Sequence, residues 1–553
     1  MGEIPGSQRL ARYCEAVLSS KIPVCQWTRL AVERHLADLT RWPNGEYWFD
    51  SGAADRAIAF VEALPHVKGE WARRGELLKL EDWQCFVVGS VFGWKRRDGY
   101  RRFRTVYTKV ARKNAKSTLT SGVMLYCLAA DGEAGAECYS AATTRDQAKI
   151  VFRDAQNMAR RDADFREAFG LDVLAHGIVC HDTNSKAEAL SAEGNTLDGL
   201  NISFAAVDEL HAHPTRDVWE VLETATGARR QPLIWAITTA GTNRAGICYE
   251  QETYVHKVLQ RIPGFEDDSY FGLIYGIDDG DDWTDPSVWA KANPNLGVSV
   301  MLDDLERKAK KAMAVPSAQP GFLTKHLNVW VSSDSAYFDM RRWDACRVEG
   351  LKLDEFRGER CWIGLDLASR IDMAAVAILF QRGAGYAAFV RCYLPEDTIE
   401  ESGNSQYRGW VRSGHLIATD GQEIDYETIK QDILDLRDFD VQAIHYDPWQ
   451  ATKLAQELRD LHLPMIECRM GVGTMSEPMK DLQGAVQSGR FAHDGNPVLS
   501  WAASNVVAHE DNKGNVYPRK ERPENKIDPL VALLMARAAM MREAPQGFQF
   551  YLA

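Results

Sequence analysis

The sequence predicts two α/β units in tandem behind a short helical segment, and three observations carry that expectation. From about residue 76 to 255, short apolar runs (RTVYTKV, AECYSAA, ISFAAVDEL, PLIWAITTAG) alternate with helical stretches such as DQAKIVFRDAQNMARR. Buried strands of a mostly parallel sheet covered on both faces read this way. Near residue 361 a second α/β pattern begins with CWIGLDLA, MAAVAILFQ and YAAFVRCYL. Finally, a chain of 553 residues is too long for one ordinary core.

Taken in order, residues 1–75 include RLARYCEAVLSS and AADRAIAFVEAL, with apolar residues three or four apart. That spacing predicts helices packed on the adjoining α/β unit. Residues 76–330 form the first α/β unit, whose later part holds an acidic, turn-rich stretch, YGIDDGDDWTDPSVW, and a charged helix within LDDLERKAKKAMA. The charge on that helix reads as a solvated face. Residues 331–360, with EGLKLDEFRGER, read as a polar linker, and 361–553 as the second unit. Within it DVQAIHYDP is a strand with an acidic residue at its C-terminal edge, HEDNKGNVYPRK a hairpin turning at Lys513 and Gly514, and IDPLVALLMARAAM an apolar helix with an Asp at its start.

Composition narrows the function classes. The 65 Lys and Arg against 78 Asp and Glu leave a net charge of −13, so the chain has no basic coat, although a local basic channel is compatible with an acidic body. Eleven cysteines without a CxxC pair predict reduced, mostly buried thiols rather than a disulfide framework or a zinc knuckle. With no run of 18 apolar residues, the expectation is a soluble cytoplasmic protein with no membrane partner.

Two groups of residues carry chemistry. In ARKNAKST, residues 111–118, Lys116 and Ser117 stand as in GxxxxGK[ST], but Val110 and Ala115 occupy the glycine positions. If Ala115 tolerates the turn, backbone N–H groups at the helix start receive phosphate oxygens, Lys116 neutralises charge, Ser117 ligates Mg²⁺, and Arg112 and Lys113 add positive charge near the γ-phosphate. The loop alone reads equally well as a basic surface turn. An apolar strand ending in Asp208 and Glu209 shifts the balance: Asp208 suits hydrated Mg²⁺ and Glu209 an attacking water. PLIWAITTAG ends in Thr238, Thr239, Ala240 and Gly241, either a γ-phosphate sensor or an ordinary polar strand exit.

The second group is Asp366, Asp447 and Asp528, two after strand-like runs and one at a helix start. An RNase-H-like sheet would gather them to bind two divalent ions roughly 4 Å apart for phosphodiester cleavage. Singly, each also reads as a helix cap or turn residue. Asp372 and Lys526 lie nearby in sequence, and His445, His509 and Glu510 have at most peripheral roles. His211 and His213 have metal-pair spacing, but they directly follow the acidic strand and read as its exit loop.

LEDWQ at 80–84, ARKNAKST at 111–118, AEGNTLDGLNISFAAVDELH at 192–211, TTAG at 238–241 and FLTKHLNVW at 322–330 occur in an order that resembles the large terminase subunit of tailed bacteriophages, in the HK97-like branch. The resemblance implies an additional-strand P-loop ATPase domain followed by an RNase-H-like nuclease domain. It places Trp83 and Gln84 by the adenine and wraps Lys113, Asn114, Ala115, Lys116, Ser117 and Thr118 around ATP. It gives Asp208 to Mg²⁺, makes Glu209 the hydrolytic carboxylate and Arg112 the candidate arginine on the γ-phosphate, and leaves coupling to Thr238, Thr239 and Gly241. Asp366, Asp447 and Asp528 would hold two Mg²⁺ or Mn²⁺. The implied partners are double-stranded DNA, a portal protein and a small terminase subunit. The implied setting is a ring-shaped homo-oligomer in the host cytoplasm, docked transiently at the prohead portal. An ATP-dependent helicase or recombination motor with a fused nuclease should show a second motor-core module, which the sequence lacks. A noncatalytic portal-docking protein has no need of Lys116, Asp208, Glu209 and the aspartate trio.

Overall fold

A computed structural model describes residues 5–41, 45–190, 199–244, 246–315, 318–331, 337–368, 372–402, 404, 406–511, 514–520 and 524–542. The chain divides into two compact units, 1–314 with 321–330, and 315–320 with 331–553.

In the first unit the described residues form an eight-stranded sheet. Its centre is parallel: Thr105–Lys109 pairs with Leu233–Thr238, which pairs with Phe204–Asp208, which pairs with Glu137–Ala141. The strand Leu233–Thr238 therefore sits between the strand that enters ARKNAKST and the strand that ends in Asp208, the inserted-strand order that the resemblance implies. Full burial of Phe204–Asp208 and Leu233–Thr238 explains why both read as continuous apolar runs. Two regions differ from the sequence expectation. Tyr270–Ile274 adds a parallel edge strand beside Thr105–Lys109, and Leu171–Val173, Gly177–Cys180 and Ser185–Ala189 extend the other edge, with antiparallel pairing among themselves.

The N-terminal helices Gly6–Leu18, Gln26–Arg41 and Ser51–Glu62 share this unit's core, and the Tyr13 and Tyr275 hydroxyls meet at 2.5 Å inside it. Beneath the sheet edge, Lys109 Nζ donates to Glu252 Oε1 at 2.6 Å, while Trp330 Nε1 and the Tyr107 hydroxyl donate to Glu252 Oε2. All four partners are buried, so the ion pair fixes the strand that leads into the loop.

The second unit is built on a mixed sheet. Arg360–Asp366 pairs antiparallel with Ala374–Arg382, which pairs antiparallel with Gly385–Pro395; on its other side Arg360–Asp366 runs parallel to Asp440–Tyr446. The helix Asp528–Arg542 lies on this sheet, with Leu530, Leu533, Leu534 and Met535 fully buried. Each such side chain contributes roughly 1.5–3 kcal/mol relative to exposure. Its approach to the central strand is set by Gly364: a Cβ there would run into the carbonyl oxygen of Ala532 and stand 2.7 Å from the Ala536 nitrogen. The predicted hairpin forms from Val506–Glu510 and Val516–Lys520; Lys513 lies outside the described residues. All eleven cysteines are buried and free, and no described helix is long and apolar enough to cross a membrane.

Candidate functional site

The loop 110–115 joins the C-terminal end of the strand Thr105–Lys109 to the helix Lys116–Ala129. Ala115 adopts the left-handed conformation that a glycine ordinarily supplies, at φ 56°, and Lys113 does so at φ 71°. The missing glycines therefore do not prevent the turn. Lys116 is buried and folds back on its own loop, with Nζ donating to Val110 O at 2.6 Å and to Ala111 O at 3.4 Å. Burial pulls its pKa down to about 8, against the pull of Glu209 and Asp208.

Asp208 ends the acidic strand Phe204–Asp208, one strand removed from Thr105–Lys109. Burial and then the Glu209 charge push its pKa up to about 7, while Lys116, the Glu209 N–H and Ser117 act the other way. The Glu209 N–H donates to Asp208 Oδ1 at 2.9 Å. Glu209 itself is left-handed, at φ 50°, a strained setting for a residue with a side chain. Burial opposes its ionisation, but His211, Lys116 and Arg112 outweigh burial and hold its pKa at about 2. The exposed Arg112 thus acts electrostatically on both Glu209 and Lys116. The Glu209 charge that adds to burial in raising Asp208 also attracts a divalent cation, so the hard oxygen donors of Ser117 and Asp208 fit Mg²⁺.

His211 has a role that its position in the sequence does not disclose. Its Nδ1 lies 3.2 Å from Glu209 Oε2, 3.2 Å from Thr238 Oγ1 and 3.4 Å from Thr239 Oγ1, and its backbone N–H donates to Thr238 Oγ1 at 3.0 Å. It connects the acidic strand end to the Thr238–Thr239 exit. At Gly241 a Cβ would stand 3.1 Å from the His211 Cβ, so the small residue there lets the imidazole pack closely.

A cavity of about 200 Å³ opens beside the loop, bounded by Ala115, Thr118, Gln84, Leu78, His66 and Val298 among others. Gln84 lines it, with Oε1 accepting from the Glu81 N–H. Trp83 does not: its ring packs against Tyr275, and Nε1 donates to Asn295 Oδ1 at 2.6 Å. Consecutive helical residues project about 100° apart, which turns Trp83 away from the cavity that Gln84 lines.

In the second unit Asp366 ends the central strand, Asp447 follows the adjacent parallel strand, and Asp528 opens the helix packed on both. Asp366 is pushed well above the usual carboxylate range, first by burial and then by Asp528, Asp447 and Asp372. Burial, followed by Asp372, raises Asp528 to about 6, and its Oδ2 is buried without a hydrogen-bond partner. Asp447 also serves as an N-cap, accepting from the Trp449 N–H through Oδ1. Among the described residues no group of three or more His, Cys, Asp or Glu is close enough to form a finished ion site. Asp528 and Asp447 are nevertheless near enough to raise the proton affinity of Asp366, and the orphaned buried carboxylate oxygen of Asp528 fits a hard divalent cation. Lys520 and Lys526 both donate to Asp372 Oδ1, at 2.8 and 2.6 Å. His445 is buried in the strand before Asp447, and His509 and Glu510 are exposed on the hairpin.

These features define a class: a P-loop ATPase joined on one chain to a metal-dependent nuclease. Residues 82–257 match the family described as terminase large subunit, ATPase domain, and residues 264–543 match terminase large subunit, endonuclease domain. The chain belongs to the large terminase subunits, and its activities are ATP-driven DNA packaging and DNA cleavage. It is 40% identical over 355 residues to Protein YmfN of Escherichia coli K12, covering 61% of this chain and 77% of the relative. It is 28% identical over 507 residues to the large terminase subunit of Enterobacteria phage HK97, covering 90% of this chain and 97% of that one. A crystal structure of the HK97 large terminase covers 88% of this chain and 99% of its own at 26% identity, with a TM-score of 0.44.

Proposed function

We propose that residues 76–330, behind a helical segment at 1–75, are the packaging motor, and that residues 361–553, beyond a linker at 331–360, are the nuclease. The motor drives double-stranded DNA into a prohead and the nuclease cuts the concatemer. The observation that carries the reading is the electrostatic coupling of Lys116 to Asp208 and Glu209 across the ends of two parallel strands that flank Leu233–Thr238 in one sheet.

In the motor, the N–H groups of Lys113 to Thr118 and the Lys116 ammonium bind phosphate oxygens, and Gln84 faces the base. Ser117 and Asp208 would hold Mg²⁺, which when bound neutralises phosphate charge. Glu209, held ionised, orients the attacking water, and Arg112 acts on the γ-phosphate. His211 connects Glu209 to Thr238 and Thr239, and the small Gly241 leaves room for it. In the nuclease, Asp366, Asp447 and Asp528 would hold two Mg²⁺ or Mn²⁺, which when bound supply an activated water and stabilise the leaving oxygen. Lys520 and Lys526 hold Asp372 beside this trio. The working form is a ring of copies docked on a portal protein in the host cytoplasm, with a small terminase subunit bringing the DNA. An acidic body suits a motor that must release phosphate at each step.

The test is ATP hydrolysis and plasmid cleavage measured side by side, with and without divalent metal, on wild type, Glu209→Ala and Asp366→Ala. The expected outcome is loss of hydrolysis alone in the first variant and of cleavage alone in the second. Loss of both activities in either variant overturns the assignment of two separate sites.

A further inference from the structure

The loop 110–115 is held by a segment almost 180 residues away in sequence. Asn114 is fully buried between the two left-handed residues Lys113 and Ala115, and its bonds all go to the loop or to this segment. Its Nδ2 donates to Ala111 O at 3.0 Å and Asn293 Oδ1 at 3.1 Å, and its Oδ1 accepts from the Asn295 N–H at 3.0 Å. The Asn295 side chain continues the chain of bonds, with Nδ2 donating to Ser299 Oγ at 3.1 Å and Oδ1 accepting from Trp83 Nε1. The Ser299 hydroxyl donates to the Lys113 carbonyl at 2.6 Å. Asn293 is anchored in turn, its Nδ2 donating to Trp289 O at 3.0 Å and His326 O at 2.8 Å.

A second observation is independent of these bonds. Asn295, Val298 and Ser299 also line the cavity of about 200 Å³ that borders Ala115 and Thr118. One short segment thus forms a wall of the nucleotide cavity and fixes the phosphate loop. The endonuclease-domain match spans this segment, yet it packs within the first unit.

We propose that Asn293, Asn295 and Ser299 are positioning residues for ATP, a strut that keeps Lys113 and Ala115 left-handed where this chain lacks glycines. Residues with a Cβ disfavour that conformation, so a loop without the strut relaxes and its N–H groups no longer converge on phosphate. The strut acts through the loop and touches neither the attacking water nor the reacting phosphorus. Its loss therefore weakens nucleotide binding and spares the chemical step. This inference rests on the reading of residues 110–118 as a nucleotide site.

The experiment is steady-state ATP hydrolysis by the full chain, wild type and Asn293→Ala, which deletes the acceptor of Asn114 Nδ2, each with and without Ala115→Gly, and Lys116→Ala as control. Asn293→Ala is expected to raise KM about tenfold and to keep kcat within about threefold of wild type. Glycine adopts the left-handed turn freely, so Ala115→Gly should recover most of that rise, measured against the Ala115→Gly single variant. A merely structural defect would lower the active fraction, and with it kcat, and glycine would not repair it. Should melting show that Asn293→Ala does not fold, Ser299→Ala removes only the bonds to Lys113 and Asn295 and carries the same test. Wild-type hydrolysis by Lys116→Ala would sink the nucleotide site itself. A dead Lys116→Ala with an unchanged KM in the strut variant, or with no recovery by glycine, overturns the strut alone.

Discussion

Replacing Gly364 by alanine should separate the two activities through backbone geometry alone. Gly364 lies two residues before Asp366, and its Cα faces the helix that Asp528 opens. The added Cβ would stand 2.7 Å from the Ala536 nitrogen and closer still to the Ala532 carbonyl oxygen. Ordinary contacts are roughly 3.5 Å, so the helix must withdraw by on the order of 1 Å. Asp528 sits one turn before Ala532 and moves with it. A misplacement of about 1 Å costs roughly a hundredfold in rate, so metal-dependent plasmid cleavage should fall by about that factor. Overpacking costs about 1–3 kcal/mol, which for a unit of this size lowers its melting temperature by roughly 3–10 °C. ATP hydrolysis, assayed in the same preparation, should keep its wild-type rate. Because the obstacle is main chain, adding Ala532→Gly should not restore cleavage. Wild-type cleavage with unchanged melting would refute the reasoning, since it would show that Gly364 does not set the position of Asp528.

Three further outcomes are expected. His211→Ala should lower kcat for ATP about 10- to 100-fold with ATP binding retained, because it takes the imidazole away from the buried Glu209 Oε2, 3.2 Å from Nδ1, and leaving a buried charged group without its neighbour costs about 1–3 kcal/mol; an unchanged kcat would remove His211 from the account. Glu252→Ala leaves the buried Lys109 ammonium without its partner and should destabilise the first unit by about 3–5 kcal/mol in denaturant titration, with a loss under about 1 kcal/mol counting against the ion pair as an anchor. In EDTA, the folded chain holds protons on Asp366 and Asp528 that the unfolded chain has released, so their contribution to stability should grow as pH falls through about 6 toward the ordinary carboxylate value. Calorimetry of wild type against Asp528→Asn checks this: the difference should shrink on acidification, Mg²⁺ should raise the wild-type melting temperature more at pH 8 than at pH 6, and a difference independent of pH would contradict it.

The parts of the fold that could be read in the sequence are those whose burial leaves a periodic trace. TVYTK, FAAVD and LIWAIT are buried strands and look like it. The edge extension LDV, GIVC and SKAEA is short and partly polar, so its pairing is set by tertiary contacts that leave no pattern. YFGLI is hidden by its acidic, turn-rich surroundings. Among the site residues, Lys116, Ser117, Asp208 and Glu209 stand at the ends of elements, where motif spacing is informative. Trp83 and Gln84 are consecutive in the motif yet face different surroundings, Gln84 the cavity and Trp83 the side chains of Tyr275 and Asn295, because adjacency along a helix is not adjacency in space. His211 reads as part of an exit loop, and nothing in its spacing reveals that its ring reaches Thr238. Gly364 does leave a signal, a lone glycine inside an apolar strand, which marks close backbone approach.

The absent glycines show what a sequence motif stands for. At Ala115, one of the two glycine positions, the loop turns left-handed, a path that glycine takes without assistance, and Lys113 turns the same way although the motif asks for no glycine there. Here the path runs through Lys113 and Ala115, and the restraint comes from Asn114, held by Asn293 and Asn295. The information that a glycine would concentrate at one position is spread over a hydrogen-bond network whose members lie far apart in the chain. Such a loop is coupled to its surroundings in a way a glycine loop is not: on the strut proposed above, anything that shifts the segment 293–299 alters the grip on phosphate. Movement of the segment in either direction changes nucleotide affinity, and a change in the bound nucleotide pushes back on the segment with the same free energy.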